Sequence, residues 1–408
     1  MNTTSIQADN IISEIANKPE ISLLLCCART NVEDKVAERI KSLLQQDINW
    51  SYLLTIAVQH EVIQLLYQNL NNVCPEAVPR GMLSALKFQF QINDIHNRFL
   101  SEELLKLLDL FKQHKIPVIP FKGPVLATSV YGNLSLRQFD DLDILVHKQD
   151  FFRAKELLIS QQYKSKLTAL GEVFCFKNYL QSPFAKNDEK LHLDLHWGIP
   201  PRRFHHNNRF KCLWDNLEPV SLAGQSILTF APETALLVHC MNAAKEPWKQ
   251  SLKQICDVAE IIRAYPNLNW KKVFSTAKHL DSQCLLLITV NLARQLLGVS
   301  LPEEVLRKIH GQPIVKEFTE ELRQQLFEMP DSPNKKQEIY YLNKKYHLKT
   351  MGLQNKVLFY FDKLITPNTK DKNLISLPLY LDFLYYLVRP IRLARQSGVF
   401  FSKKVLDR

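Results

Sequence analysis

The sequence predicts an α+β protein, predominantly helical, with a small mixed β-sheet flanked by N- and C-terminal helical regions. Three observations predict it. The 408 residues include only 10 glycines beside 20 prolines, where average usage gives roughly 28 glycines, and a chain this poor in glycine suits helices better than turn-rich β structure. Apolar residues recur at three- and four-residue steps from about residue 10 to 115 and again from Pro232 onward, the helical period. Between these stretches lie short β-branched or strictly alternating segments, the pattern of strands.

The elements follow in order. Glu33 to Gln45, Trp50 to Glu61 and Met82 to His114 read as helices, and Asn49 is placed to cap the second. Ile116 to Phe121 is β-branched and punctuated by Pro117 and Pro120, which predicts an edge strand. Gly123 to Val130 reads as a short helix, Asp141 to Val146 as a strand and Phe151 to Gln162 as a helix. Glu172 to Tyr179 and Lys190 to Trp197 read as two further strands, making a small mixed sheet with helices on one side. Pro330 to Lys336 and Thr366 to Lys372 are linkers by composition. The expected organisation is a helical region over 1–110, an α/β core over 111–230, a helical domain over 231–330 that closes a cleft, and a helical extension over 331–408 with a basic tail.

Hydrophobic residues at 46% and charged residues at 23% exclude a globally disordered chain. Lys and Arg exceed Asp and Glu by 52 to 41, a net charge of +11, which suits partners carrying phosphate. The polar start, Met1 to Asn10, lacks a secretory pattern, and the apolar run Leu377 to Val388 is broken by Asp382, too short to span a bilayer. A cytoplasmic location is expected. The eight cysteines form no C-x-x-C pair and read as reduced core thiols.

The chemistry lies in the central segment. Asp141 and Asp143, at i and i+2 of a strand, point to one face while Leu142 and Ile144 point to the core. Adjacent carboxylates repel unless a cation lies between them, and oxygen ligands of this kind suit Mg²⁺. Leu191 to His196 alternates, with His192, Asp194 and His196 on the polar face. If that strand pairs beside Asp141 to Val146, Asp194 becomes a third carboxylate. Lys122 and Gly123 stand at a strand-to-helix turn, a place that accepts phosphate. Arg137 adds forked donors four residues before Asp141. Three carboxylates behind a basic turn suit two metal ions acting on a nucleotide phosphoryl group.

These residues resemble the DNA polymerase β-like nucleotidyltransferase superfamily, and within it the uncharacterised nucleotidyltransferases. The resemblance is carried by Phe121-Lys122-Gly123, Tyr131-Gly132, Leu136-Arg137, Asp141-Leu142-Asp143-Ile144-Leu145-Val146 and Asp194-Leu195-His196-Trp197. It covers about residues 110 to 200 and extends more loosely over Leu236 to Ile262, with His239, Lys245, Trp248 and Asp257 at similar positions, and to Arg389-Pro390-Ile391-Arg392. It implies Asp141 and Asp143 as ligands of two Mg²⁺ or Mn²⁺ ions, Asp194 as ligand and base, and an NTP as co-substrate. The implied reaction moves a nucleoside monophosphate to an acceptor hydroxyl and releases pyrophosphate, the acceptor being a small molecule, an RNA or a protein. One departure is Pro124, standing where the superfamily commonly has a serine after glycine.

Lys122, Gly123, Arg137 and Lys245 are the expected nucleotide contacts, with His192 and His196 as second-sphere groups. Lys245 reads equally as a solvated lysine, His239 as a packed histidine, and Asp257 as a cap or a partner for a basic residue. Two other readings stay open: a hydrolase holding zinc or iron on His192, Asp194 and His196, and a non-catalytic helical module with a relic site. The basic tail, Arg389, Arg392, Arg395, Lys403, Lys404 and Arg408, reads as a solvated helix edge or as a contact for RNA or an anionic membrane surface.

Overall fold

The structure, a computed structural model, describes residues 18–167, 172, 176, 180–199, 207–244, 251–327, 349, 356–357, 364–365, 367, 371, 374–375, 377 and 379–406. The chain forms two compact units, Met1–Tyr346 and His347–Arg408.

Among the described residues the first unit opens with four helices, α1 (Pro19–Cys27), α2 (Asp34–Leu44), α3 (Trp50–Gln59) and α4 (Ile63–Val73), and then the 34-residue α5 (Arg80–Gln113). Asn49 caps α3 as its position suggests, its Oδ1 accepting the Tyr52 N–H at 3.0 Å. The central segment runs β1 (Val118–Pro120), α6 (Gly123–Ser129), β2 (Asp141–Val146), α7 (Phe151–Ser160), β3 (Lys164–Ser165), β4 (Gln181–Lys186) and β5 (Leu191–His196). A hairpin follows, β6 (Leu217–Leu222) and β7 (Gln225–Phe230). The unit continues with α8 (Pro232–Ala243), α9 (Leu252–Ala264), α10 (Trp270–His279), α11 (Gln283–Leu297), α12 (Glu303–His310) and α13 (Pro313–Leu326).

The five-stranded sheet has the order β1-β2-β5-β4-β3. Only β2 and β5 pair in parallel, with Asp143 opposite Asp194; the other neighbours are antiparallel. β1 is an edge strand, as its prolines require, and Thr229 of the hairpin donates to the Pro120 carbonyl at 2.8 Å. Alternation decides the two faces of the central pair. Leu142, Ile144 and Val146 join Leu191, Leu193 and Leu195 in one core with Leu100, Leu104 and Phe111 of α5 and Phe151 and Leu158 of α7. The aspartates alternate to the opposite face. A second core joins α1 to α4 with α8 to α13.

The strand expected at Glu172 to Tyr179 is displaced. Glu172 and Phe176 are helical, and the strand is Gln181–Lys186. Pro183 hides it from a propensity reading. The Pro183 carbonyl accepts from Lys166 N–H beyond the end of the two-residue β3, so its missing N–H faces the side where pairing has already stopped. The hairpin was not expected from the sequence. Its turn, Ala223 at φ 48° and Gly224 at φ 83°, has the double positive φ of a tight hairpin turn.

In the second unit, Asp371 is fully buried and accepts from Arg389 Nη1 and Arg392 Nε. It therefore does not behave as linker. Both arginines lie in the helix α14 (Tyr385–Leu406) and face Asp371, so they are not part of a free basic surface. Arg395 is exposed; the side chains of Lys403, Lys404 and Arg408 lie outside the described residues, as do residues 330–336. Among the described residues no helix is long and apolar enough to cross a membrane.

Leu193 is 1% exposed at the centre of the sheet core. Leu193→Ala is expected to cost about 2–5 kcal/mol, read from urea unfolding; a loss under about 0.5 kcal/mol contradicts its place in that core.

Candidate active site

The site is built on the strand pair. Parallel pairing sets Asp141 opposite His192 and Asp143 opposite Asp194, so the three carboxylates share a face. They line a cavity of about 380 Å³ with Lys122, Gly123, Arg137, Phe139 and His192. Asp140 also lines it, and the rest of its wall comes from distant parts of the chain: Glu61 after α3, Asn242 of α8, and Lys253 and Gln254 of α9.

Asp143 is the buried hub, 4% exposed. Its Oδ1 accepts from Lys122 Nζ at 2.7 Å and from His196 Nε2 at 2.8 Å, while its Oδ2 is buried without a partner. Burial opposes the charge, but the Lys122 ammonium and the His196 hydrogen bond outweigh it and hold the carboxyl far below the usual range. Burial likewise opposes the charge of Lys122, yet Asp143 and Asp141 raise its pKa. Burial lowers the pKa of His196; the Asp143 carboxylate can only accept, so His196 donates through Nε2, and among the described residues its buried Nδ1 has no partner.

Asp141 behaves differently. The Asp143 charge, then burial, push its pKa up to about 6. Asp194 Oδ2 accepts from Gln181 Nε2 of β4 at 2.5 Å. Oxygen and nitrogen atoms of Asp143, Asp194 and His196 lie within 4.8 Å of one another.

The turn before α6 is conformationally demanding. Lys122 has φ 64° and ψ −153°, a region in which a side chain costs about 1–3 kcal/mol. Gly123 follows at φ +41°, where a Cβ would meet the Asp141 carbonyl at 3.4 Å. Pro124 stands in the first turn of α6, where a helix needs no N–H.

Arg137 stands in the cavity wall, but its fork turns to α9. Nε and Nη2 donate to Asp257 Oδ1 and Oδ2 at 2.7 and 2.8 Å, and Tyr131 donates to the same carboxylate at 2.7 Å. Asn97 of α5 fixes the backbone here, donating to the Arg137 carbonyl at 2.8 Å. Asp257 is thus the partner of a basic residue. His239 is packed nearby, 3.8 Å from Asp257, and burial lowers its pKa to about 4. Lys245 and Trp248 lie outside the described residues.

Glu61 and Lys253 form an ion pair on the cavity wall. Next to them the buried His60 takes the start of α9: its carbonyl accepts from Lys253 N–H at 3.2 Å and its Nδ1 from Leu252 N–H at 3.3 Å. No sequence signal marks Glu61, Lys253, Asn242 or Gln254, because folding alone assembles them.

The set His192, Asp194, His196 does not come together as one ligand group. His192 and His196 are four residues apart on one strand, about 13 Å, too far for one ion, and His196 turns to Asp143.

Asp141 gives a pH test. Its folded pKa of about 6 exceeds its ordinary 3.8, so the folded state binds the proton more tightly than the unfolded state. The penalty is absent below about pH 3.8, grows through about pH 6 and is full above it. Metal-free Asp141→Asn is expected to be more stable than the parent at about pH 7.5, by on the order of 2 kcal/mol, and to lose that advantage near pH 4. Urea unfolding at both pH values measures it; an unchanged or lower stability at about pH 7.5 contradicts the repulsion.

Comparison with known proteins adds the following. No curated protein matches the chain. The solution structure of the antibiotic-resistance factor ANT(2'')-Ia is similar at 12% identity and a TM-score of 0.33, covering 46% of this chain and 94% of that one. A crystal structure of an antigenic nucleotidyltransferase-like protein from Paracoccidioides brasiliensis is similar at 12% identity and a TM-score of 0.30, covering 52% of this chain and 96% of that one. The sequence model described as uncharacterised nucleotidyltransferase matches residues 46–298. That match takes in more than half of the chain and every wall of the cavity, so this protein belongs to the uncharacterised nucleotidyltransferase family and is a nucleotidyltransferase enzyme.

Proposed function

We propose that the protein transfers a nucleoside monophosphate from an NTP to an acceptor hydroxyl, with Mg²⁺ or Mn²⁺ in the site. One observation carries this reading: Asp141, Asp143 and Asp194 meet on one face of two parallel strands, against a lysine at a constrained turn.

The residues fit a hard divalent cation. Asp143 Oδ2 is buried and unpartnered, a costly state for a charged oxygen. Asp141, held beside Asp143 and Asp194, is destabilised as a carboxylate. Oxygen donors at such a point suit Mg²⁺ or Mn²⁺. Asp141, Asp143 and Asp194 are the proposed holders of two ions. When bound, the ions supply charge neutralisation of the triphosphate and of the developing negative charge.

The chain's own residues do the rest. Lys122 has two roles in sequence: it neutralises Asp143 in the metal-free protein, and its ammonium turns to the phosphates when the site fills. Gly123 gives phosphate close access to the backbone. Arg137, tied to Asp257, positions the turn and offers the cavity the edge of a fixed positive charge. The acceptor oxygen attacks the α-phosphorus, forming one P–O bond as the bond to the bridging β-phosphate oxygen breaks. Pyrophosphate leaves with that electron pair, and the hydroxyl proton passes to the Asp194 carboxylate, which Gln181 orients. Lys245, by its position in the sequence resemblance, is a further proposed phosphate contact.

Incubation with α-labelled NTP, Mg²⁺ or Mn²⁺ and cell extract reads the activity as label transferred to an acceptor. Asp141→Asn and Asp143→Asn are expected to lose at least about 100-fold, and Lys122→Met to raise KM for the NTP more than it lowers kcat. Carboxamide variants that label as fast as the parent overturn the assignment.

A further inference from the structure

Helix α5 carries two separate apolar stripes. Leu86, Leu100, Leu104, Leu107 and Phe111 are buried. About a third of a turn away, Phe88, Ile92, Ile95 and Phe99 are 60%, 46%, 70% and 42% exposed. Their spacing alternates four, three, four, which is the heptad period of a helix–helix seam rather than scattered surface apolarity. The same alternation extends the seam to Gly81 and Ala85 on one end and Glu102 and Lys106 on the other, all exposed.

The seam reads the same in both directions. Reversed on itself about its centre, Phe88 meets Phe99, Ile92 meets Ile95, Ala85 meets Glu102 and Gly81 meets Lys106. The two small residues fall opposite the two long ones. A Cβ at Gly81 would meet nothing within 4 Å, leaving room for the apolar stem of a lysine. Flanking positions bring Gln91 beside Arg98 and Gln89 beside His96, with no like charges opposed. A surface complementary to its own reversal is what a two-fold dimer requires.

We infer that this chain forms a two-fold dimer through α5, the helices antiparallel, with a second copy as the occupant of the seam. This is independent of the proposed chemistry, since no seam residue lines the cavity. Two seams with their polar flanks bury roughly 1,000 Å², the lower end for a specific pair, so a dissociation constant in the micromolar range is expected. Sedimentation velocity on the full chain from about 1 to 100 µM should show the monomer give way to the dimer. Ile95→Lys and Ile92→Glu, both at exposed positions, should each weaken it at least tenfold while leaving the thermal midpoint of the monomer unchanged. The double variant Ile92→Glu/Ile95→Lys should restore it, because only the antiparallel register sets Glu against Lys twice. A parent that stays monomeric throughout, a dimer indifferent to the single changes, or a double variant that stays monomeric overturns the inference.

Discussion

The site depends on the buried charge of Asp143. A carboxylate this deeply enclosed persists only with compensation, and Lys122 and His196 supply it at one oxygen. That requirement reaches outward. It needs β5 parallel to β2 so that His196 arrives from the same face. It also needs the turn at Lys122 to accept an unfavourable backbone conformation so that the ammonium points back over the strand. The strain at Lys122 is therefore accounted for by the electrostatics of its neighbour. Among the described residues the second oxygen of Asp143 receives no hydrogen bond, and the Asp143 charge, then burial, push the pKa of the neighbouring Asp141 up to about 6.

A second buried pair, Arg137 with Asp257, joins the loop leading into β2 to helix α9. Buried pairs of this kind add little net stability, because desolvation offsets attraction, but losing one partner leaves an unpaired charge. Their effect here is geometric. Asn97 and Tyr131 hold the same joint, and the joint fixes the distance between the carboxylate face and the wall formed by Asn242, Lys253 and Gln254. His60 performs a similar task at the other rim by receiving the first amides of α9. The cavity is thus clamped at two points: Asp257 pairs with a basic residue as its sequence reading allows, while Asn97 and His60 carry no local signal for their part in it.

The sequence made the helices and most of the sheet legible because each carries a simple period: three and four residues in α3 and α5, two in β5. The carboxylates of β2 and β5 were legible for the same reason, since alternation alone puts Asp141, Asp143 and Asp194 away from the leucines. Strand β4 is not legible because Pro183 and polar neighbours conceal it, and its stability comes from pairing with β5 rather than from its own propensity. The pairing of Arg137 with Asp257 was not legible, because the partner lies 120 residues further on, beyond any local pattern. The seam on α5 was visible only as helical apolarity. Which of two apolar stripes faces the core is decided by the sheet and the loop that α5 covers.

The most direct test of the account is a titration of the parent and of Asp143→Asn with Mn²⁺, followed by electron paramagnetic resonance, in the presence of a non-hydrolysable NTP analogue. Circular dichroism of both proteins establishes that each is folded. Mn²⁺ is expected to bind the parent together with the nucleotide, with an affinity at least about tenfold weaker, a difference of 1.4 kcal/mol or more, in Asp143→Asn. Equal Mn²⁺ affinity in the two folded proteins would show that the buried carboxylate is compensated by Lys122 and His196 for structure alone, and would contradict the site described.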